Sequence, residues 1–422
     1  MKRLLVISLC LLTPLAAAAG PMHNLAAAAA IALRHDPRIA RAGARLQQQR
    51  AGRDQALSGY RPDVSLVASA GRARYDANRY DDPARAPKML ELSVDQPVYD
   101  FGRTSADVRA AEADVLAAGA GRSAAVIDVI RDAAIDALGV DLAHRRLATE
   151  THNLRVLGRR LAYTRAKFKA GDFTGTDVAQ ARARYAHARA RRRRASAAVL
   201  QARARLQRLT GSPVDVRLAR QPAIRVPDTL GEALADLDSH PAVTAARQSL
   251  LAARQSLARA RAQLRPRIDL IAAVGRDEQT RFSDTATGYW QARLQLRVPL
   301  YAQGWNRAAV RRAQGRLSEA ETQLTSVRRR LKERVRRAWS ARAAAADELS
   351  AARAQQRAAT VALAGVESEL ALGSRTVVDL LNAQQELRDA RLAVLGARYR
   401  RAVSGLRLLA ATGRLRLASL RR

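Results

Sequence analysis

Two short segments of the chain carry a glycine followed, at matching distances, by side chains that could bind or exclude charged groups. Gly171 stands six residues before Asp177, and Gly373 stands six residues before Asp379, with Arg375 between them. In both segments a threonine lies three residues after the glycine. Glycine can adopt the left-handed conformation that ends a helix, and threonine can cap the helix that follows. The spacing therefore predicts two helical turns, and turn formation alone does not account for the carboxylates and the guanidinium beside them.

No arrangement typical of catalysis is present in the sequence. It contains no glycine-rich phosphate loop, no serine nucleophile elbow and no His-Glu pair with metal-ligand spacing. The histidines are scattered, and His35 and His240 lie beside prolines, as helix-entry residues do. We therefore expect no enzymatic activity, no cofactor and no metal site, and we expect the charged residues to act through electrostatics.

The composition indicates long helices packed through small side chains. Lys+Arg is 74 and Asp+Glu is 38, which gives a formal net charge of +36, and only five of the basic residues are lysines. Aromatic residues make up 4 % of the chain, whereas alanine, leucine, arginine and glutamine are abundant. This mixture argues against a disulfide scaffold, a disordered chain and a bundle of membrane-spanning helices.

The first residues have the pattern of an export signal, which we assign to 1–19. Lys2 and Arg3 precede an apolar run that is too short to span a bilayer, and small residues follow it. The only cysteine is Cys10, which lies inside this segment and too early for a lipid-attachment site. We therefore expect an exported chain without a lipid anchor, and export argues against the nucleic-acid binding that the positive charge would otherwise suggest.

The chain consists of one unit written twice. Residues of the first half recur 204 positions later as far as Gly71, and 202 positions later from Pro97 onward; Pro97 and Tyr99, for example, recur as Pro299 and Tyr301. We divide the chain into a signal peptide, a first repeat, a linker, a second repeat and a basic tail, at 1–19, 20–212, 213–229, 230–414 and 415–422.

Each repeat contains two segments with alternating polar and apolar residues. These predicted strands lie at about 63–75, 89–98, 267–275 and 289–298. Runs of about ten residues with one polar and one apolar face are typical of outer-membrane β-barrels. A half-buried strand of a soluble sheet has the same pattern, so the alternation alone leaves both possibilities open.

Long helical patterns decide between these possibilities. No proline interrupts the segments from Gly102 to Gly171 and from Gly304 to Gly373, which would each reach about 100 Å as helices. Shorter helical patterns follow or precede them, over 25–59, 173–210 and 230–263. Four strands cannot close on themselves in lipid, so the chain must oligomerise; eight strands would give a filled barrel, and twelve strands from a trimer could enclose a passage.

The motifs at the turns resemble those of the TolC family of trimeric outer-membrane efflux and secretion channels. The most specific match is residues 373–384 (GSRTVVDLLNAQ), and residues 171–178 (GDFTGTDV) are similar. The corners 97–102 and 299–304 also resemble family members, and residues 408–413 are most similar to members that serve type I protein secretion. The resemblance covers essentially the whole mature chain and implies a homotrimer with a barrel in the outer membrane and a helical tunnel through the periplasm.

The resemblance also implies roles for individual residues. It makes Thr176 and Asp177 partners of Arg375 in a closed state, and Asp379 an entrance carboxylate. The sequence departs from the family at Leu370, where a gate tyrosine is familiar, and at Asn382, where a second entrance aspartate is familiar. The positions that we assign to the periplasmic gate are Thr176, Asp177, Arg375, Asp379 and Asn382. The positions that we assign to adaptor docking at the tips are Gly171, Asp172, Phe173, Thr174, Gly373, Ser374 and Thr376.

Aromatic residues cluster at the two ends of the predicted strands. Ordinary packing could explain them, but two clusters about one strand length apart are more typical of aromatic belts at the membrane interfaces. The cluster at one end is Tyr75, Tyr289 and Trp290, and the cluster at the other is Tyr99, Phe101, Tyr301 and Trp305.

The sequence therefore predicts an α+β chain with internal duplication, in which long antiparallel helices form a tunnel and four strands join a trimeric transmembrane β-barrel. We predict that it is a non-enzymatic exit duct in the outer membrane, working with a periplasmic adaptor and an inner-membrane ABC or proton-driven transporter. Its cargo would be secreted proteins or small molecules. The alternatives are a secreted or periplasmic coiled-coil interaction protein, against which the alternating strands argue, and an exported enzyme, which lacks a site.

Overall fold

A computed structural model describes residues 24–74, 76–77, 80–81, 86–219, 224–278 and 286–420. The signal peptide assigned to 1–19 and Tyr75 lie outside these residues. In chain order the elements of the first repeat are α1 (Leu25–His35), α2 (Pro37–Ser58), β1 (Asp63–Ala70), the short strands β2 (Asp76–Ala77) and β3 (Tyr80–Asp81), β4 (Lys88–Tyr99), α3 (Arg103–Lys169) and α4 (Gly175–Thr210). The elements of the second are α5 (Leu230–Ala235), α6 (Pro241–Ala262), β5 (Arg267–Glu278), β6 (Ala286–Arg297), α7 (Trp305–Ala371) and α8 (Val377–Ala411), with short 3₁₀ turns at Leu237–Ser239 and Leu417–Leu420.

The segment 25–59, which has a helical pattern with a His-Asp-Pro turn, forms two helices divided at that turn. The prediction of one helix over 230–263 is wrong, because this segment is also broken near its start. Asp36 separates α1 from α2, and its carboxylate accepts a hydrogen bond from the backbone N–H of Arg38 at 2.8 Å. His240 caps α6 in the same way, since its Nδ1 accepts from the N–H of Ala242 at 3.1 Å. A proline follows each cap and starts the new helix, where its missing N–H is not needed.

The four long strands form one antiparallel sheet in the order β1-β4-β5-β6. Leu66, Leu92, Val274 and Trp290 pair across all four strands and therefore lie on one face, which is exposed on the single chain. The neighbouring row, on the other face, runs through Ser65, Ser93, Ala273 and Gln291. One face of the sheet is thus apolar and the other is mainly polar, and β1 and β6 form its two edges.

The helices α3 and α7 are 67 residues long each, which corresponds to about 100 Å. Both begin after a sharp corner, where two consecutive residues have positive φ: Phe101 and Gly102 before α3, and Gln303 and Gly304 before α7. α4 returns beside α3, and α8 returns beside α7. The two hairpins meet because α8 lies against α3 and, over a shorter length, against α4.

The main core lies about halfway along the helices, where α1, α3, α4 and the end of α8 meet. Alanines such as Ala29, Ala133 and Ala137 are fully buried there, and their small side chains let the helices approach closely. The chain after α4 packs onto this core, since the backbone N–H of Leu218 donates to the buried carboxylate of Asp141 at 2.9 Å. Within the part of the chain that the structure describes, no helix has both the length and the apolarity needed to cross a bilayer.

Candidate entrance at the hairpin ends

The ends of the two hairpins have the same local structure. α3 and α7 end two residues before Gly171 and Gly373, which have φ values of +86° and +78°. The next helices begin at capping boxes. The Thr174 hydroxyl accepts from the N–H of Asp177 at 3.3 Å, and the Asp177 carboxylate accepts from the N–H of Thr174 at 3.0 Å.

The same reciprocal pair forms between Thr376 and Asp379. Oδ2 of Asp379 accepts from the Thr376 hydroxyl at 2.8 Å and from the Thr376 N–H at 3.1 Å. The hydrogen bond from the Thr376 side chain, together with that from its backbone, lowers the pKa of Asp379, so its carboxylate is ionised at neutral pH. Turn formation thus explains the positions of both Asp177 and Asp379, contrary to the expectation from the sequence, and it holds a negative charge at each tip.

In the single chain, Arg375 forms its ion pair with a residue of its own hairpin. Its Nε donates to Oε2 of Glu369 at 2.6 Å, and both side chains are about half exposed. Neither Thr176 nor Asp177 is its partner within the protomer. Asp172, at the other tip, accepts from Lys167 at 2.8 Å.

The hairpins are joined just above the tips by an apolar cluster. Leu157 of α3 and Ala188 of α4 pack against Val377 and Leu381 of α8. Phe173, which the sequence assigned to adaptor docking, is half-buried against this cluster rather than free at the tip. The start of α8 is therefore seated against both helices of the first hairpin.

A polar contact that the sequence analysis missed connects the same elements. Nη2 of Arg184, on α4, donates to Oδ1 of Asn382, on α8, at 2.9 Å, and Nη1 of Arg184 donates to Oε1 of Gln385. The partners are about 200 positions apart in the chain, and no local spacing indicates them. Asn382, a predicted gate residue, is therefore in contact with a cation from the other hairpin.

A second, buried contact lies one or two turns further along α8. Nη1 of Arg388 donates to Oε1 of Glu150, on α3, at 2.9 Å, and the two side chains are only 11 % and 7 % exposed. Arg191 of α4 approaches the other oxygen of the carboxylate at 3.4 Å. Arg191 starts a run of four arginines in α4, and its approach to Glu150 shows that a nearby acidic group pairs with the run.

The residues predicted to form the aromatic belts do not all lie on the same face of the sheet. Trp290 lies on the apolar face of the sheet and is 81 % exposed, whereas Tyr289 points to the opposite face and donates to Glu91 of β4. Tyr289 and Trp290 therefore do not share a face. At the other end of the strands, Tyr99 and Phe101 stack edge to face with ring centroids 4.6 Å apart. Tyr301 and Trp305 are strongly exposed there.

The fold and the paired hairpins define a class of protein: a channel protein of the outer membrane, with a strand region and a long helical extension. The chain matches the outer membrane efflux protein family over residues 29–212 and 235–414, which is most of its length, and it belongs to this family. The resemblance and the fold class predicted from the sequence are thereby confirmed. Members of the family are channel proteins rather than enzymes.

Similar proteins include both efflux and secretion components. The outer membrane efflux protein BepC of Brucella suis biovar 1 is 28% identical over 377 residues, which are 89% of this chain and 81% of BepC. The alkaline protease secretion protein AprF of Pseudomonas aeruginosa is 24% identical over 395 residues, 87% of this chain and 80% of AprF. The CmeC outer membrane channel of Campylobacter jejuni has the same fold, with a TM-score of 0.81, 18% identity and coverage of 92% of this chain and 85% of that one.

Proposed function

We propose that three copies of this chain form one continuous duct, which carries solutes or secreted proteins from the periplasmic side of the cell envelope to the outside. The observation that carries this proposal is the four-stranded sheet with one apolar and one polar face and two open edges. In lipid every backbone group of an edge strand needs a partner, so the edges of neighbouring copies must pair. Twelve strands from three copies are enough to enclose a passage.

The helical hairpins would then continue the passage below the barrel. Each hairpin reaches about 100 Å from the sheet, so the two tips lie at the end farthest from the membrane. The proposed partners are a periplasmic adaptor, which docks on the tips, and an inner-membrane transporter, ABC-type or proton-driven, which supplies the energy. An N-terminal signal peptide would direct the chain to export.

Cell fractionation together with gel electrophoresis tests the duct. We expect the protein in the outer-membrane fraction, migrating as a trimer without heating and as a monomer after boiling. A secreted coiled-coil protein would be found in the soluble fraction, and that result would overturn the proposal.

The tips are the proposed docking surface and gate. Gly373 has a positive φ and no atom within 4 Å of the place where a Cβ would lie, so it is exposed at the turn. We expect Gly373→Trp to abolish export and adaptor crosslinking while trimer and membrane insertion persist. Export with normal crosslinking in this variant would show that the adaptor docks elsewhere.

Gate closure would involve neighbouring copies. Arg375 of one protomer would exchange its partner Glu369 for Thr176 and Asp177 of the next protomer, with three such contacts around the axis. Asp379 and Asn382 would line the entrance, where a ring of three carboxylates acts on passing ions.

A further inference from the structure

A positive charge, that of Arg184, lies next to Asn382 and would affect which ions the proposed entrance selects. Asn382 follows Asp379 by three residues on α8, so both side chains lie on the same side of that helix. The guanidinium of Arg184 is in direct contact with Asn382 at 2.9 Å and also binds Gln385. Any solute that passes Asp379 therefore also passes a cation within about one helical turn.

The partners of Arg184 leave its charge uncompensated. Asn382 and Gln385 accept hydrogen bonds through neutral amide groups, which position a guanidinium but do not neutralise it. The neighbouring cations at the tips are different, since Arg375 is paired with Glu369 and Lys167 with Asp172. Arg184 is thus held in a fixed position with its full positive charge.

α4, the helix that carries Arg184, also carries other positive charges. Residues 175–194 of α4 contain seven arginines and a single carboxylate, Asp177. Arg182, Arg189 and Arg193 line a groove between α3 and α4 together with Arg165. Arg182, Arg189 and Arg193 lie on the side of α4 opposite to Arg184, because their positions are rotated by about 140–180° from that of Arg184 at 100° per residue.

We propose that Arg184 sets the charge selectivity of the entrance: three Arg184 guanidinium groups, held by Asn382 and Gln385, offset the three Asp379 carboxylates, so that the duct lacks the preference for cationic solutes that those carboxylates alone would give. This inference rests on the proposed trimeric duct. Charged side-chain rings at a constriction select ions of the opposite sign, because the low-dielectric walls concentrate their field there.

Reversal potentials measured across planar bilayers in a KCl gradient test this proposal. We expect the purified wild-type trimer to discriminate little between chloride and potassium, and Arg184→Gln to lower the chloride-to-potassium permeability ratio by at least about fivefold, because one unit charge about 4 Å from an ion in water already accounts for that factor and the variant trimer lacks three. Arg184→Lys should keep the wild-type ratio, because it keeps the charge while losing the planar bidentate geometry. If Arg184→Lys changes the permeability ratio as much as Arg184→Gln does, the ratio follows the contact rather than the charge, and the proposal is overturned.

Two further variants separate Arg184 from the general positive charge. Arg182→Gln removes the same charge from the opposite side of α4 and should leave the ratio unchanged. Asp379→Asn keeps an acceptor for the capping box and should raise the ratio. Equal shifts in Arg182→Gln and Arg184→Gln would overturn the role of Arg184, and so would a wild-type preference for potassium that Arg184→Gln leaves intact. A wild-type protein that forms no channels would instead overturn the duct itself.

Discussion

Replacement of Arg388 by methionine tests how firmly α8 is seated on the first hairpin. The Arg388 and Glu150 side chains are 11 % and 7 % exposed, and their atoms Nη1 and Oε1 are 2.9 Å apart. Loss of one partner of a buried ion pair costs about 3–5 kcal/mol, because the other charge stays buried without compensation. Since Arg191 remains 3.4 Å from the carboxylate, we expect the lower end, about 3 kcal/mol.

This cost applies only while α8 is docked, because water can reach Glu150 once the hairpins separate. Docking should therefore weaken by about 3 kcal/mol, or about a hundredfold in the opening equilibrium. Hydrogen exchange of the backbone amides between residues 381 and 394 reports this local opening. We expect their exchange in Arg388→Met to be about a hundredfold faster than in the wild type.

Two matched variants control this measurement. Arg400→Met removes an arginine of the same helix whose ion pair with Glu348 is about half exposed, and it should leave the exchange of those amides close to wild type. Glu150→Leu combined with Arg388→Met removes the unpaired carboxylate and should restore slow exchange. If Arg388→Met exchanges like wild type, or if the double variant exchanges as fast as the single one, the buried pair does not hold α8 in place.

Three further outcomes follow from other parts of the molecule. Leu92→Arg, on the apolar face of the sheet, should cost about 2–4 kcal/mol at the bilayer midplane and impair outer-membrane assembly, whereas Ser93→Arg on the polar face should assemble; equal assembly would contradict the barrel assignment. Arg375→Ser should raise resting conductance in planar bilayers, and unchanged conductance would remove this residue from the gate. Burial lowers the pKa of His240, so its stabilising contribution is present above about pH 6.5 and lost as the pH falls below that value. The melting temperature should therefore fall between pH 7 and 5.5 in the wild type and much less in His240→Asn, which keeps a capping acceptor but cannot be protonated; parallel curves would refute this.

Much of the fold could be predicted because its signals are local and repeated. Alternation indicated the four strands and their two faces, and the absence of proline indicated the two long helices. Both breaks, at Asp36 and at His240, are marked by an acceptor followed by proline, yet at His240 the helical pattern on both sides suggested continuity. Tyr289 was grouped with Trp290 by its position along the strand, although adjacent residues of a strand point to opposite faces.

Only part of the candidate entrance at the hairpin ends could be predicted from the sequence. The capping boxes depend on residues three apart, so the threonines could be assigned. The contacts of Arg184 and Arg388 depend on how α8 lies against α3 and α4, which is set by packing along whole hairpins. No pattern within one helix contains that information.

The contact between Arg184 and Asn382 has a consequence for the symmetry of the assembly. The position that corresponds to Arg184 in the second repeat is Glu386, and the position that corresponds to Asn382 in the first is Gln180. The link between hairpins thus joins unlike partners, and a trimer would contain three such links rather than six. In a ring of six identical hairpins, a symmetric change of shape would move all six alike. Two different hairpins in each chain would permit one to stay in place while the other moves, so the divergence of the two repeats would allow the wall of the proposed duct and its closure to be separate parts.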